Sequence, residues 1–339
     1  MSHPLSRPGP RNSLTDVPGL RVGSAQDLSV RTGVSVIVPD APAVCGVDVR
    51  GGGPGTRETD LLAPENLVSA VDAITLAGGS VYGLAAADGV VAALGAAGKG
   101  YVVAAGLRTA PIVPGAILFD LANGGDKSWG LEPPYRRLGI AALEAASLDV
   151  ALGSVGAGAG AMAGGLKGGQ GSASVVLLDG ATVGALACVN AHGSVVMPGS
   201  RAFWAWPFEV DGEFGGARPD PNARVDALDW GLAKSQPSAR TNTTLAVVAT
   251  DYALSPAQAK RMAIMAQDGL ARAIRPLHAM FDGDVVFALS TGLRPLPEPW
   301  ARSLTIVGAV AGDVLARAVA RGVFEARAFA GETCWRDLP

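Results

Sequence analysis

The chain has 339 residues, 49% of them hydrophobic and 17% charged, which is enough to bury a large core. A net charge of −3 and a pI of about 5.7, with no Lys/Arg cluster, exclude the footprint of a nucleic-acid-binding surface. The 3 cysteines are odd in number and show no CxxC spacing, which excludes a disulfide framework and a cysteine-type zinc site.

Residues 1–16 are polar and proline-bearing with no apolar signal core, and are expected to form a loose arm on a cytoplasmic protein. Val34-Ser35-Val36-Ile37-Val38 reads as a strand, and residues 43–49 as a second, followed by the turn Gly51-Gly52-Gly53-Pro54-Gly55. Ala73-Ile74-Thr75-Leu76 is a short buried strand ending at Gly78-Gly79. Ser80 then stands where it would cap a helix through Tyr82, Leu84, Val90 and Leu94. Residues 136–147 form another helix.

A mean hydropathy of +0.30 and two stretches without Asp, Glu, Lys or Arg, 150–166 and 180–200, raise the question of membrane spans. The first is built from Gly, Ala and Ser, and the second is broken by Asn190, His192 and Pro198. Both read as packed soluble segments, and no membrane partner is expected. Within them, strands at 174–178 and 182–189 are joined by Asp179-Gly180, a hairpin signal.

Residues 201–242 are polar and Pro-bearing, aromatic at the start (Phe203, Trp204, Trp206, Phe208), and read as an irregular connector. A β-branched strand then runs from Thr243 to Thr250. Ser255-Pro256 opens a helix whose Met262, Ala266, Leu270 and Ile274 form one apolar stripe. A strand at 284–290 and a small-residue helix at 307–320 complete the chain. Strands and helices are mixed without repeats, so the class is α/β or α+β, with a layered sandwich as the fitting architecture.

The chemistry concentrates at Asn242-Thr243. A Thr inside a chain is a weak nucleophile. Cutting the bond before it frees an α-amine with a reference pKa of about 7.7–8.0, which can act as base for the neighbouring hydroxyl. Asn242-Thr243-Thr244 also fits a glycosylation sequon, or a turn feeding a β-branched strand. Asp282-Gly283-Asp284 fits a solvated turn, or two carboxylates that orient an ammonium and relay a proton. Asn190, at a strand end, fits a turn residue or an amide aimed at an oxyanion.

Gly156-Ala157-Gly158-Ala159-Gly160 resembles a dinucleotide fingerprint, but more glycines follow where a helix is required. Close backbone packing, with Lys167 as a fixed positive charge, is the alternative to an ordinary surface lysine there. His3, His192 and His278 are too few and scattered for a His-based triad or metal centre, so neither metal nor cofactor is expected. His278 is read as structural.

Together these segments resemble the DmpA-type family of L-aminopeptidase/D-esterases, β-peptidyl aminopeptidases and endo-type 6-aminohexanoate oligomer hydrolases. The resemblance runs from Leu14-Thr15-Asp16-Val17-Pro18-Gly19 through Asp48-Val49-Arg50-Gly51-Gly52 and Leu76-Ala77-Gly78-Gly79-Ser80-Val81-Tyr82-Gly83-Leu84. It continues through Asn242-Thr243-Thr244, Ile274-Arg275-Pro276-Leu277-His278 and Phe281-Asp282-Gly283-Asp284. The nylon-oligomer branch, with its Thr nucleophile and paired Asp, is the nearer one.

The resemblance implies a four-layer αββα sandwich like that of N-terminal-nucleophile hydrolases and ornithine acetyltransferases, differently connected. It implies one catalytic domain, 1–339, cut between Asn242 and Thr243 into associated fragments 1–242 and 243–339 and assembled as a homotetramer. It implies Thr243 as nucleophile, Asn190 as oxyanion donor, Asp282 and Asp284 as amine partners, Lys167 as a site charge, and a small peptide or amide as substrate. Phe119 and Tyr82 are expected at the substrate pocket. Many relatives carry Tyr where Phe119 stands, and a lost oxyanion donor costs on the order of 10²–10³ in rate. An acyltransferase of the ornithine acetyltransferase type, an inactive binding homologue and a nucleotide-binding oxidoreductase are the competing readings.

Overall fold

The computed structural model describes residues 7–234 and 242–339. In chain order its strands are β1 (Leu20–Asp27), β2 (Thr32–Pro39), β3 (Ala43–Val49), β4 (Thr56–Arg57), β5 (Ala70–Val71), β6 (Ile74–Ala77), β7 (Gly115–Ile117), β8 (Met162–Ala163), β9 (Leu166–Lys167), β10 (Gly169–Val176), β11 (Thr182–Asn190), β12 (Thr243–Tyr252) and β13 (Val285–Arg294). The α-helices are α1 (Ala85–Ala96), α2 (Tyr135–Glu144), α3 (Pro256–Ala273) and α4 (Trp300–Phe324). Five strands form one sheet in the order β1-β2-β6-β7-β4, and six form another in the order β10-β11-β12-β13-β3-β5.

The period-2 alternation of the strands decides the layering. In β12, Leu245, Val247 and Ala249 face the five-stranded sheet, while Ala246 and Val248 face helices α3 and α4. β13 repeats this with Val285, Phe287 and Leu289 on one side and Val286 and Ala288 on the other. On the second sheet, Ile37, Ile74 and Leu76 meet the first, and Val34, Val36 and Val38 meet α1 and α2. The result is the expected four-layer αββα sandwich. Strands covered on both faces read as near-continuous apolar runs, which is why β12 is buried along its whole length.

The sequence locates most elements but not all boundaries. β3 and β11 stand where composition places them, β10 starts at Gly169 and ends at Val176 rather than spanning 174–178, and Ser255 caps α3 through a reciprocal box with Gln258. Ser80 does not cap a helix: Gly79, at φ 83°, precedes a 3₁₀ turn Ser80–Leu84, and α1 starts only at Ala85. The glycines at 156–158 form a 3₁₀ turn rather than the helix a dinucleotide site needs. They allow close packing instead, since a Cβ on Gly158 would lie 2.2 Å from the Gln170 nitrogen.

Two expectations about loose segments are corrected. Within the arm, residues 1–6 lie outside the described residues, but 7–16 are fixed. Leu14 is fully buried, its amide donates to Ser172 Oγ at 2.7 Å, and Gly9 donates to Ser174 Oγ at 3.1 Å. Polar composition concealed this, because the polar atoms pair with β10 rather than water. Within the connector, residues 235–241 lie outside the described residues, but its first half belongs to the core. Phe203 and Phe214 are buried edge to face at 5.4 Å, and Arg317 of α4 holds Glu213 at 2.5 Å.

Candidate active site

One end of the six-stranded sheet gathers the predicted residues. In the antiparallel β11–β12 register, Asn190 lies opposite Thr243. On the other side β12 runs parallel to β13, and Asn242 forms a bridge with Asp282 just before β13 begins. Strand pairing alone therefore sets Asn190, Thr243 and the Asp282-Gly283-Asp284 turn side by side. Asn242, Thr243, Asn190, Asp282 and Asp284 are all buried.

The bond between Asn242 and Thr243 is held on both sides. The Thr243 hydroxyl donates to the Asn242 carbonyl oxygen, and the Gly283 amide donates to the same oxygen at 2.9 Å. Glycine at 283 leaves room for the hydroxyl, since a Cβ there would stand 2.6 Å from Thr243 Oγ. The glycine turn after β3 docks onto this loop: the Gly53 amide donates to the Asp282 carbonyl at 2.7 Å, and a Cβ on Gly51 would lie 2.4 Å from that oxygen.

The two carboxylates are placed differently. Asp284 accepts from the Thr244 amide at 2.7 Å and meets His278 Nδ1 at 2.9 Å. His278, set at φ 55° on the loop leading to the pair, thus touches the pair directly instead of merely lying near it. Asp282 accepts from the amides of Ala279 at 2.8 Å and His192 at 3.3 Å. Burial, and then the neighbouring Asp284 charge, push Asp282 up to about 6, despite those amide donors.

Asn190 is oriented by two backbone contacts. Its Nδ2 donates to the Phe119 carbonyl at 3.0 Å, and its Oδ1 accepts from the Met162 amide at 2.9 Å. Residue 119 thus holds Asn190 through its main-chain carbonyl, which Phe supplies as well as Tyr. Tyr82 stands apart. It is 47% exposed with its ring edge-on to Trp129, and no hydrogen bond or ring contact among the described residues ties it to Thr243.

Lys167 is not a surface lysine. It is fully buried at the end of β9, where its ammonium donates to the carbonyls of Ala161 at 2.7 Å and Gly168 at 3.3 Å. Burial pulls it down to about 8, with Glu332 the first of the groups opposing that. Sequence reasoning missed Lys234. It is half-buried at the end of the described connector, and its Nζ donates to Asn242 Oδ1 at 2.8 Å. Burial lowers it to about 7, opposed by Asp282. A lone lysine in a polar stretch carries no signal in the sequence. Among the described residues no group of three or more His, Cys, Asp or Glu is arranged to hold a metal.

The arrangement can present a hydroxyl to a carbonyl, hold the carbonyl oxygen with an amide, and place carboxylates where a new amine would appear. Comparison with known proteins shows a family of amide-bond hydrolases. A family model described as Peptidase family S58 matches residues 12–334. An uncharacterised aminopeptidase of Mycobacterium tuberculosis is 48% identical over 346 residues, covering 96% of this chain and 98% of that protein. A 6-aminohexanoate-oligomer endohydrolase of Kocuria is 30% identical over 335 residues, covering 93% and 87%. The nylon-oligomer branch is thus matched, at lower identity than the mycobacterial protein. Among solved structures, a Burkholderia beta-aminopeptidase aligns at TM-score 0.69 and 25% identity over 95% of this chain and 89% of that one. The L-aminopeptidase D-Ala-esterase/amidase of Ochrobactrum anthropi, described as a variant of the Ntn hydrolase fold, aligns at TM-score 0.68 and 22% identity over 96% and 89%.

Proposed function

The chain belongs to peptidase family S58 and hydrolyses amide bonds, and we propose that it does so with Thr243 as an N-terminal nucleophile that it frees by cutting itself. The observation that carries this reading is the Thr243 hydroxyl set against the Asn242 carbonyl oxygen while the Gly283 amide holds that oxygen. In the first reaction Oγ attacks the Asn242 carbonyl carbon. The C–N bond to Thr243 breaks, the amine takes a proton, and an ester joins Asn242 to Oγ. Water hydrolyses the ester to a carboxylate on Asn242 and a free Thr243 hydroxyl.

In turnover the Thr243 α-amine takes the hydroxyl proton as Oγ attacks a substrate amide. Asn190, oriented by Phe119 and Met162, donates to the tetrahedral oxyanion. Asp282 and Asp284 flank Gly283 beside Thr243 and orient the amine, and Lys167 supplies a buried positive charge. The leaving amine departs with the proton and water resolves the acyl-Thr243 ester. Short amides and peptides are the substrates, a reading supported by relatives named aminopeptidase and 6-aminohexanoate-oligomer endohydrolase, and the working form is a cytoplasmic homotetramer of cleaved chains.

Thr243→Ala tests this reading. The variant stays at full length on a denaturing gel and lacks amidase activity against a panel of amino-acid p-nitroanilides and 6-aminohexanoate oligomers. A whole but active T243A protein would refute the scheme. An acyltransferase on a related fold would instead show turnover that depends on an added amine acceptor.

A further inference from the structure

Lys234 lies outside every motif that pointed to the site, yet its main chain is fastened there. Its amide donates to the His192 carbonyl at 3.0 Å, just after β11. Two residues earlier the Leu232 carbonyl accepts from the Gly165 amide at 2.6 Å. That approach needs glycine in the β8–β9 turn: Gly164 sits at φ 58°, and a Cβ on it would come within 2.3 Å of the Leu232 oxygen. The end of the described connector is therefore held against the active-site sheet by its backbone. From this anchor the ammonium reaches Asn242 Oδ1 at 2.8 Å.

We propose that Lys234 is a positioning residue for self-cleavage and not for substrate turnover. Asn242 is the acyl residue in the first reaction only. During that reaction Lys234 fixes the Asn242 side chain while Gly283 holds the Asn242 carbonyl oxygen, and the two contacts together present the carbonyl carbon to the Thr243 hydroxyl. Once the bond is cut, a substrate replaces Asn242 as acyl donor, and the side chain that Lys234 grips is no longer part of the chemistry. The proposal rests on the reading of Thr243 as nucleophile.

The test measures processing and turnover separately. Pulse–chase of full chains in cell-free translation gives the rate at which fragment 243–339 appears, and kcat/KM is measured per mature Thr243 end. Lys234→Met is expected to process about 10- to 100-fold more slowly, the scale of a misplaced reacting group. Its kcat/KM per mature end stays within about three-fold of the parent. Lys234→Arg, which keeps a charged donor, recovers much of the rate. Asn242→Leu removes the acceptor and leaves the Lys234 backbone anchorage alone, so it slows processing even where the Lys234 variant folds poorly.

In the double variant the two losses multiply less than fully, because both remove the Lys234–Asn242 contact. Processing of K234M at the parent rate overturns the proposal, as does an equal fall in turnover, or multiplicative losses in the double variant. In each of those cases T243A still stays whole, so the nucleophile reading survives. A parent chain that never yields an end at Thr243 sinks that reading instead.

Discussion

At the scale of single residues, the candidate site is assembled by close approach more than by unusual side chains. Gly283 lets Thr243 Oγ lie beside the backbone, and Gly51 lets the loop after β3 cover Asp282. Asp282 carries a consequence that can be measured. In the uncleaved chain its carboxyl titrates at about 6 rather than the ordinary 3.8, because it is buried and faces Asp284. The folded chain therefore binds this proton more tightly than the unfolded chain does. Its contribution is fully present below about pH 4 and is lost as pH rises through about 6. Urea unfolding of uncleaved T243A and of T243A/D282N will show the double variant gaining relative stability between pH 4 and above 6. A difference that stays flat with pH would remove Asp282 from this role.

The site was legible in the sequence where a residue type is chemically loaded. Thr243 before a strand, the Asp pair and Asn190 at a strand end each carry a functional alternative, and strand pairing brings them together. Lys234 was not legible. Its effect depends on a backbone anchor at His192 that no spacing rule predicts. Tyr82 sits in a family motif, and its ring packs on Trp129.

At the scale of elements, β12–α3–β13 is the unit that builds the site. β12 carries Thr243 at its start, α3 packs on the helix-side face of the sheet, and the loop into β13 returns Asp282 and Asp284 beside Thr243. The start of α3 was read correctly because Ser255 and Pro256 are a local signal, and the structure adds Gln258 to it. The Ser255 hydroxyl accepts from the Gln258 amide at 3.3 Å, and Gln258 Oε1 accepts from the Ser255 amide at 2.8 Å. Ser255→Ala in uncleaved T243A is expected to cost about 1 kcal/mol, the usual value of an N-cap. Self-cleavage of Ser255→Ala in the parent background stays unchanged, because the cap lies at the end of the sheet away from Thr243. Denaturant unfolding and a denaturing gel check the two halves of this statement.

Elements defined by tertiary contact were read less well. Helix α4 runs from Trp300 to Phe324, well beyond the small-residue core at 307–320. It is apolar and long enough to span a bilayer by composition, yet 67% of its most apolar window is buried in this fold. Periodicity reports an apolar face; it does not report which sheet or solvent that face meets.

At the scale of the whole molecule, the position of the proposed cut explains how two fragments would remain one protein. Fragment 243–339 supplies the central strands β12 and β13 of the six-stranded sheet. Fragment 1–242 supplies β11 on one side of them and β3 on the other. The buried Arg317 of α4 also holds Glu213 and Asn12 from the first fragment. Breaking one peptide bond leaves these ladders and ion pairs intact, so the cleaved pair is expected to elute as a single species and to separate only when denatured.

The most direct test of the account is N-terminal sequencing of active material taken from that single native peak. The account predicts two sequences, one from the start of the chain and one beginning Thr243-Thr244-Leu245-Ala246, in equal amounts. Active material with no species that begins at Thr243 would contradict it.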